Sequence, residues 1–124
     1  MPHPPHLKLS VLPELFAICR LDAASPTPPW ATSGPFFSVT RTPDELSIVC
    51  PIAAVPPDVI AESEWRAFEV AGPLDFGSIA APLAEAQVSF FAVSTYDTDY
   101  VLVHTADFER AIDALMRSGH HVDR

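Results

Sequence analysis

Glycine is scarce in this chain, with four in 124 residues. Neither a P-loop nor a G-x-G-x-x-G fingerprint is present, so no glycine-rich cradle for phosphates is available. Basic residues are scarce too. Seven Lys and Arg stand against sixteen Asp and Glu, giving a formal net charge of −9. No Lys/Arg cluster exists to neutralise phosphates, which argues against nucleic acid and against an anionic membrane as partners. The acidic excess is spread over both halves and favours solubility. Apolar runs fall short of the roughly 18 residues that a membrane-spanning helix needs. Met1-Pro2-His3-Pro4-Pro5-His6 has neither a basic nor an apolar stretch. Residues 1–6 are therefore expected to be a disordered N-terminal tail and not a secretory signal.

The cysteines are Cys19 and Cys50, each inside an apolar run (FAICRL and LSIVC). No C-x-x-C spacing suggests zinc. The plain expectation is two buried small hydrophobes. A disulfide stays open if their strands adjoin, although a reducing cytosol disfavours it. No metal site is expected. His120 and His121 are adjacent, so on a strand they face opposite ways. His104 lacks a ligand partner at useful spacing. Asp97 and Asp99 make two carboxylates without a third, better read as a solvated turn than a cation site. Ser94, Thr95 and Cys19 could be nucleophiles, but nothing places a His and an acid around them. No catalytic residue, no cofactor and no enzyme activity are expected.

What the chain has is apolar material, 48% of its residues, and fourteen prolines. It is organised around SFFAVSTYDTDYVLV, residues 89–103. Two apolar segments flank a short polar link, which favours an antiparallel hairpin. Residues 35–49, PFFSVTRTPDELSIV, look like a second copy. A gapless overlay sets Phe36 and Phe37 on Phe90 and Phe91, Thr40 on Ser94, Glu45 on Asp99, and Val49 on Val103. The overlay implies two copies of one supersecondary unit.

The remaining elements follow in order. Leu7, Leu9 and Val11 alternate with Lys8 and Ser10, a half-buried strand. Pro13 interrupts it, as at an edge or bulge. Glu14–Leu21 reads as a strand, with a short helix as the alternative. Asp22–Gly34 is a proline-rich loop whose Trp30 is expected to pack on the core. Thr42-Pro43-Asp44-Glu45 fits a type I turn. Residues 56–62 could start one or two helical turns. Trp65–Ala71 is a strand, and Gly72-Pro73 ends it. Ser78–Gln87 is a short helix that Pro82 should kink or delay. Thr105 can cap a helix from Ala106 to about Ser118, with Gly119 at its C′ position. His120-His121-Val122 fits a last edge strand.

The second half thus reads β-α-β-β-α-β, an antiparallel sheet with two helices on one face. The first half repeats it with a loop in place of the first helix. The fold expected is α+β, with tandem ferredoxin-like units, the first degenerate. Residues 7–64 form one unit and 65–124 the other, with Trp65–Ala71 as a strand they could share.

FFSVTRTPDELSIVC, WRAFEVAGPLDF and above all STYDTDYVLV resemble the small ACT-domain proteins related to the eukaryotic cytosolic arginine sensors and to aspartate-kinase regulatory regions. The resemblance runs from Leu7 to the last helix. It implies tandem ACT units, a cytoplasmic location, pairing with a second copy, and binding of a small ligand, usually an amino acid, in the cleft between adjacent ACT units. It places ligand contacts at Leu74, Asp75, Phe76 and Gly77, and at Ser94 and Thr95 with Tyr96, Asp97 and Thr98 near by. The stretch from Phe76 to Ile79 is shorter than the family pattern, which removes a helical turn beside the pocket.

These residue types suit a zwitterion. A helix start after Phe76 offers N–H groups to a carboxylate. Asp75 and Asp97 can accept from an ammonium, and Ser94 or Thr95 can do either. The plainer reading is that Asp75 caps the helix and Asp97 caps the turn. Two functions remain in play: an amino-acid-binding regulatory module, or a ligand-free assembly module that pairs through its sheet edges.

Overall fold

A computed structural model describes residues 7–71 and 76–124. The tail expected at residues 1–6, and the site readings of Leu74 and Asp75, lie outside the described residues. The chain divides into two units, residues 14–65 and residues 1–13 with 66–124. Strand β5 (Ile60–Ala71) gives its first half to one and its second half to the other.

The unit of residues 14–65 contains β2 (Phe16–Leu21), β3 (Ser38–Arg41), β4 (Leu46–Pro51) and the start of β5, in the order β3-β4-β2-β5. All of these pairings are antiparallel. Among its described residues this unit contains no α-helix. The proline-rich loop folds into a 3-10 turn over Pro29–Thr32, buries Ala31, and packs Trp30 against Ala17, Cys19, Leu46, Ile48 and Cys50. Residues 60–62, read as helix from the sequence, are strand instead, and the 3-10 turn falls earlier, at Ile52–Ala54. Alternation favours the strand once β2 is there to pair with it, since Cys19 and Arg20 face Ala61 and Ile60 in register. Near its crossing between units β5 carries a bulge. Phe16 pairs with Trp65 but Ile18 with Glu62, and Glu64 takes up the extra residue at φ 66°.

Cys19 and Cys50 are free and buried on these adjoining strands. Cys19 pairs with Ile48 and Cys50 with Ala17, so the thiols are diagonal neighbours on one face. A hydrogen bond joins them. It holds the Cys50 thiol below its ordinary range against the opposing effect of burial. The same hydrogen bond, then burial, then the Cys50 charge push Cys19 upward.

The other unit runs β5, α1 (Gly77–Glu85), β6 (Phe90–Ser94), β7 (Asp99–His104), α2 (Phe108–Arg117), β8 (His121–Asp123), which is the β-α-β-β-α-β order. Its strand order is β6-β7-β5-β1-β8. Strand β1 (Lys8–Val11), expected in the first unit, lies here between β5, antiparallel, and β8, parallel. Pro13 separates two apolar rows. Before it, Leu7 and Leu9 enter a core with Phe68, Val70, Val101 and Val103; after it, Ala17 and Cys19 enter the other cluster. Ile79 and Leu83 of α1 and Phe108, Ala111, Ile112 and Leu115 of α2 cover one face of this sheet.

Both helices end alike. After α2, Gly119 (φ 95°) donates to Met116 and His120 to Leu115. After α1, Gln87 (φ 59°) donates to Ala84 and Val88 to Leu83. This is the paired Schellman closure, with glycine in one helix and glutamine in the other. At its start α2 is preceded by a 3-10 turn, Thr105–Asp107, and no side chain caps it, so Thr105 does not play the cap role expected.

Candidate functional site

The β6–β7 turn is built by Thr95. Its N–H donates to the Thr98 carbonyl at 2.8 Å, its hydroxyl donates to the same carbonyl at 3.0 Å, and it accepts the Thr98 N–H at 3.1 Å. Ser94 Oγ donates to Asp99 Oδ1. Both hydroxyls are thus committed as donors, and each keeps an acceptor lone pair. Asp97, read as a turn cap, is exposed, and Thr95 makes the capping bonds instead. Tyr96 stands fully exposed at the tip. What the turn offers a ligand is acceptors (Asp97, Asp99 and two hydroxyl oxygens), which suits an ammonium better than a carboxylate.

One residue past Asp99, Tyr100 donates its hydroxyl proton to Glu69 Oε1 at 3.0 Å. Glu69 is two residues from the end of β5. The β6–β7 turn and the exit of β5 toward α1 therefore share one end of this unit. Burial, then the hydrogen bond and charge of Glu69, push the Tyr100 phenol upward.

Phe76 and Gly77 begin α1. Phe76 occupies the N-cap position without a side-chain cap, and its carbonyl accepts from Ile79 and Ala80 at 3.0 and 2.9 Å. The Phe76 ring lies 5.8 Å from that of Phe90. Phe90 opens β6 and Ser94 closes it, four strand steps or about 13 Å apart. The Phe76 ring therefore touches the residue that opens β6, while the Ser94–Thr98 turn follows the residue that closes it. Among the described residues no hydrogen bond or ring contact joins Phe76 or Gly77 directly to that turn.

Two features escaped sequence reading. A groove of about 340 Å³ lies between α1 and α2, lined by residues including Pro82, Glu85, Ala86, Arg110, Asp113 and Arg117. It contains none of the expected site residues. Its rim charges pair locally, Arg117 with Asp113 and Arg110 with Asp107. Spacing of i, i+3 and i, i+4 on α2 was the signal available. The second is His120, buried at 5% exposure. Its Nδ1 accepts the Leu7 N–H at 3.0 Å, and its Nε2 lies 2.8 Å from the Ser78 carbonyl. Both partners are backbone groups, so no pattern of side chains announces them. No group of three or more metal-ligating side chains occurs among the described residues. No helix there is long and apolar enough to cross a membrane.

Comparison with known proteins agrees with this architecture. A family model of an ACT domain matches residues 60–117, and a model of an N-terminal domain matches residues 14–58. A protein from Agobacterium tumefaciens of known structure is 40% identical, with a TM-score of 0.91 over 96% of this chain and 93% of that one. The bovine cytosolic arginine sensor for mTORC1 subunit 1 is 32% identical over 99 residues, 66% of this chain. The chain spans about 30% of the length of that relative. The regulatory subunit of aspartate kinase from Thermus thermophilus shares the fold at a TM-score of 0.59 and 11% identity, covering 88% of this chain and 97% of that one.

Proposed function

We propose that this chain, whose residues 60–117 match the ACT-domain family, is a non-catalytic regulatory module that binds an amino acid. The site proposed is the corner Leu74–Gly77 with Ser94, Thr95, Tyr96, Asp97 and Thr98. The observation that carries this reading is the Tyr100–Glu69 hydrogen bond, which brings the exit of β5 and the acceptor-rich β6–β7 turn to one end of the ACT unit. Asp75, with Asp97, would take the ligand's ammonium, and the first N–H groups of α1 its carboxylate. Relatives that sense arginine support an amino acid as the ligand class. A cytosolic location goes with this reading.

Thermal-shift screening against the twenty proteinogenic amino acids tests it. A specific ligand at a hundred times its Kd adds about 2.7 kcal/mol, a shift of several degrees. Asp75→Ala should abolish that shift. A response that survives the substitution unaltered puts the site elsewhere.

A second reading is favoured by β6. Among the described residues it pairs only with β7, and its sequence FFAVS carries no charge and no proline to blunt the edge. Pairing of two copies through β6 would make the chain an assembly module. A melting temperature that rises with protein concentration, with no response to any amino acid, would favour it.

A further inference from the structure

The chain has seven Lys and Arg side chains, and all but one of them meet an oxygen. Lys8, Arg110, Arg117 and Arg124 each pair with a carboxylate. Arg20 donates to the Asp44 carbonyl, and Arg41 to the carbonyls of Ala23 and Ser25. Arg66 is the exception. Among the described residues no ion pair includes it, and its Nε is buried without a hydrogen-bond partner. Its guanidinium carbon lies 4.3 Å from the centre of the Phe108 ring. That contact draws on the negative face of the ring and satisfies no N–H. A buried guanidinium donor left unmade is costly, so it calls for an acceptor.

Arg66 shares a parity with Phe68 and Val70 on β5, the side on which α1 and α2 pack. It therefore stands at the rim of that core, where α2 begins. The Phe108 ring is stacked on Phe68 at 5.6 Å. Arg124, just past β8, comes to the same ring, 5.5 Å from its centre. Arg124 is in turn held by Glu109, and both of these side chains are exposed, so the site is open to solvent on that side. The neighbouring charges cancel in pairs: Arg124 with Glu109, Arg110 with Asp107, and Lys8 with Asp123. One positive charge is left over, on Arg66.

We infer that Arg66 anchors a binding site for a single carboxylate, flanked by Arg124. The surplus of one charge suits a monoanion better than a phosphate dianion. The two oxygens of a carboxylate match the Nε–H and an Nη–H of one guanidinium side by side. Lysine would cover Phe108 as well as arginine does, but it lacks that fork. Arg66 lies five strand steps, about 17 Å, before the end of β5, so this site is separate from the one proposed for an amino acid. Neither stands or falls with the other.

The test is nitrogen-15 NMR of the arginine Nε–H groups in the full chain. Sodium acetate replaces sodium chloride at constant ionic strength; acetate has no ammonium group for the amino-acid site. The Nε–H resonance that is missing from Arg66→Lys should move saturably, with a Kd on the order of millimolar. The backbone amides of Phe108 and Arg124 should move with it. Followed by those amides, Arg66→Lys should weaken acetate about tenfold, because the charge stays and the fork is lost. Glu109→Gln should tighten acetate about threefold by releasing Arg124. N-acetylated triglycine with a free C-terminus, set against its C-terminal amide, separates the sources of the carboxylate. Peptide acid that binds tighter than acetate by about tenfold or more marks a polypeptide carboxylate, and anything less marks a small carboxylic acid. No saturable movement of the Arg66 resonance up to about 100 mM acetate would overturn the proposal. So would equal affinity in the wild type and Arg66→Lys, or binding of the peptide amide as tightly as its acid. If Arg66→Lys fails to fold, the wild-type titration decides alone, with the resonance assigned by through-bond correlation.

Discussion

Gln87 sits at a backbone conformation that disfavours it. A non-glycine residue in the left-handed region costs about 1–2 kcal/mol, and Gln87 has φ 59° where the matching position after α2 is glycine. Gln87→Gly should stabilise the protein by about 0.5–1 kcal/mol, once glycine's larger unfolded-state entropy is set against the relief. Gly119→Ala should do the reverse, by about 1–2 kcal/mol. Urea midpoints at constant m-value check both. Gly34 is more tightly held. It has φ 83°, and a Cβ there would come within 2.8 Å of Pro51 Cγ, so Gly34→Ala strains the backbone and collides as well. Tyr100 gives a pH signature. Its phenol is raised in the folded state, so the fold favours the neutral form. The stability this contributes is complete below the unfolded phenol's value of about 10 and is lost as pH rises beyond it. Tyr100→Phe should remove that alkaline slope and cost about 0.5–1.5 kcal/mol at neutral pH.

At the scale of elements, the two hairpins show what the sequence could and could not say. Both exist where expected, and both turn on a threonine. Thr42 N–H donates to Glu45 O at 2.9 Å, and Thr95 N–H to Thr98 O at 2.8 Å. The strands close at Arg41–Leu46 and Ser94–Asp99. Thr42 therefore matches Thr95, one residue away from the gapless overlay, which set Thr40 on Ser94 and Glu45 on Asp99. The aromatic doublets dominated that overlay, whereas turn geometry sets register, and a one-residue slip exchanges faces. Phe36 and Phe37 lie before β3, while Phe90 and Phe91 open β6. Thr42→Val and Thr95→Val should each cost about 0.5–1.5 kcal/mol in a denaturation assay, as turn hydrogen bonds are lost. Helix α2 was legible from its apolar stripe and Gly119. The placement of β1 was not, because alternation marks a strand without naming its neighbours. The cysteine pair was half legible: burial followed from the apolar runs, contact only from the β2–β4 register. Cys19→Ala should raise the pH at which Cys50 ionises by removing its hydrogen-bond donor, as the thiolate's ultraviolet absorbance against pH would show.

Over the whole molecule, the β-α-β-β-α-β order in residues 66–124 carried the family assignment. Its helices and strands alternate with clear hydrophobic periods, and it coincides closely with the ACT-domain match. The other unit has the order β3-β4-β2-β5, whose first three strands correspond to β6-β7-β5, and has a proline-rich loop for a helix, which no helical period could announce. The candidate site was legible as a set of polar types at a turn. Its internal bonding was not, since Ser94 and Thr95 hold their own hairpin together. The same measurement can ask where a metabolite touches this unit and whether it touches it at all. Backbone amide chemical shifts should be followed while each of the twenty amino acids is titrated into the protein. The account predicts saturable shifts for a specific amino acid, concentrated at Ala71, Phe76–Ser78 and Ser94–Tyr100. Shifts confined to the groove between α1 and α2, or none with any amino acid, would contradict it.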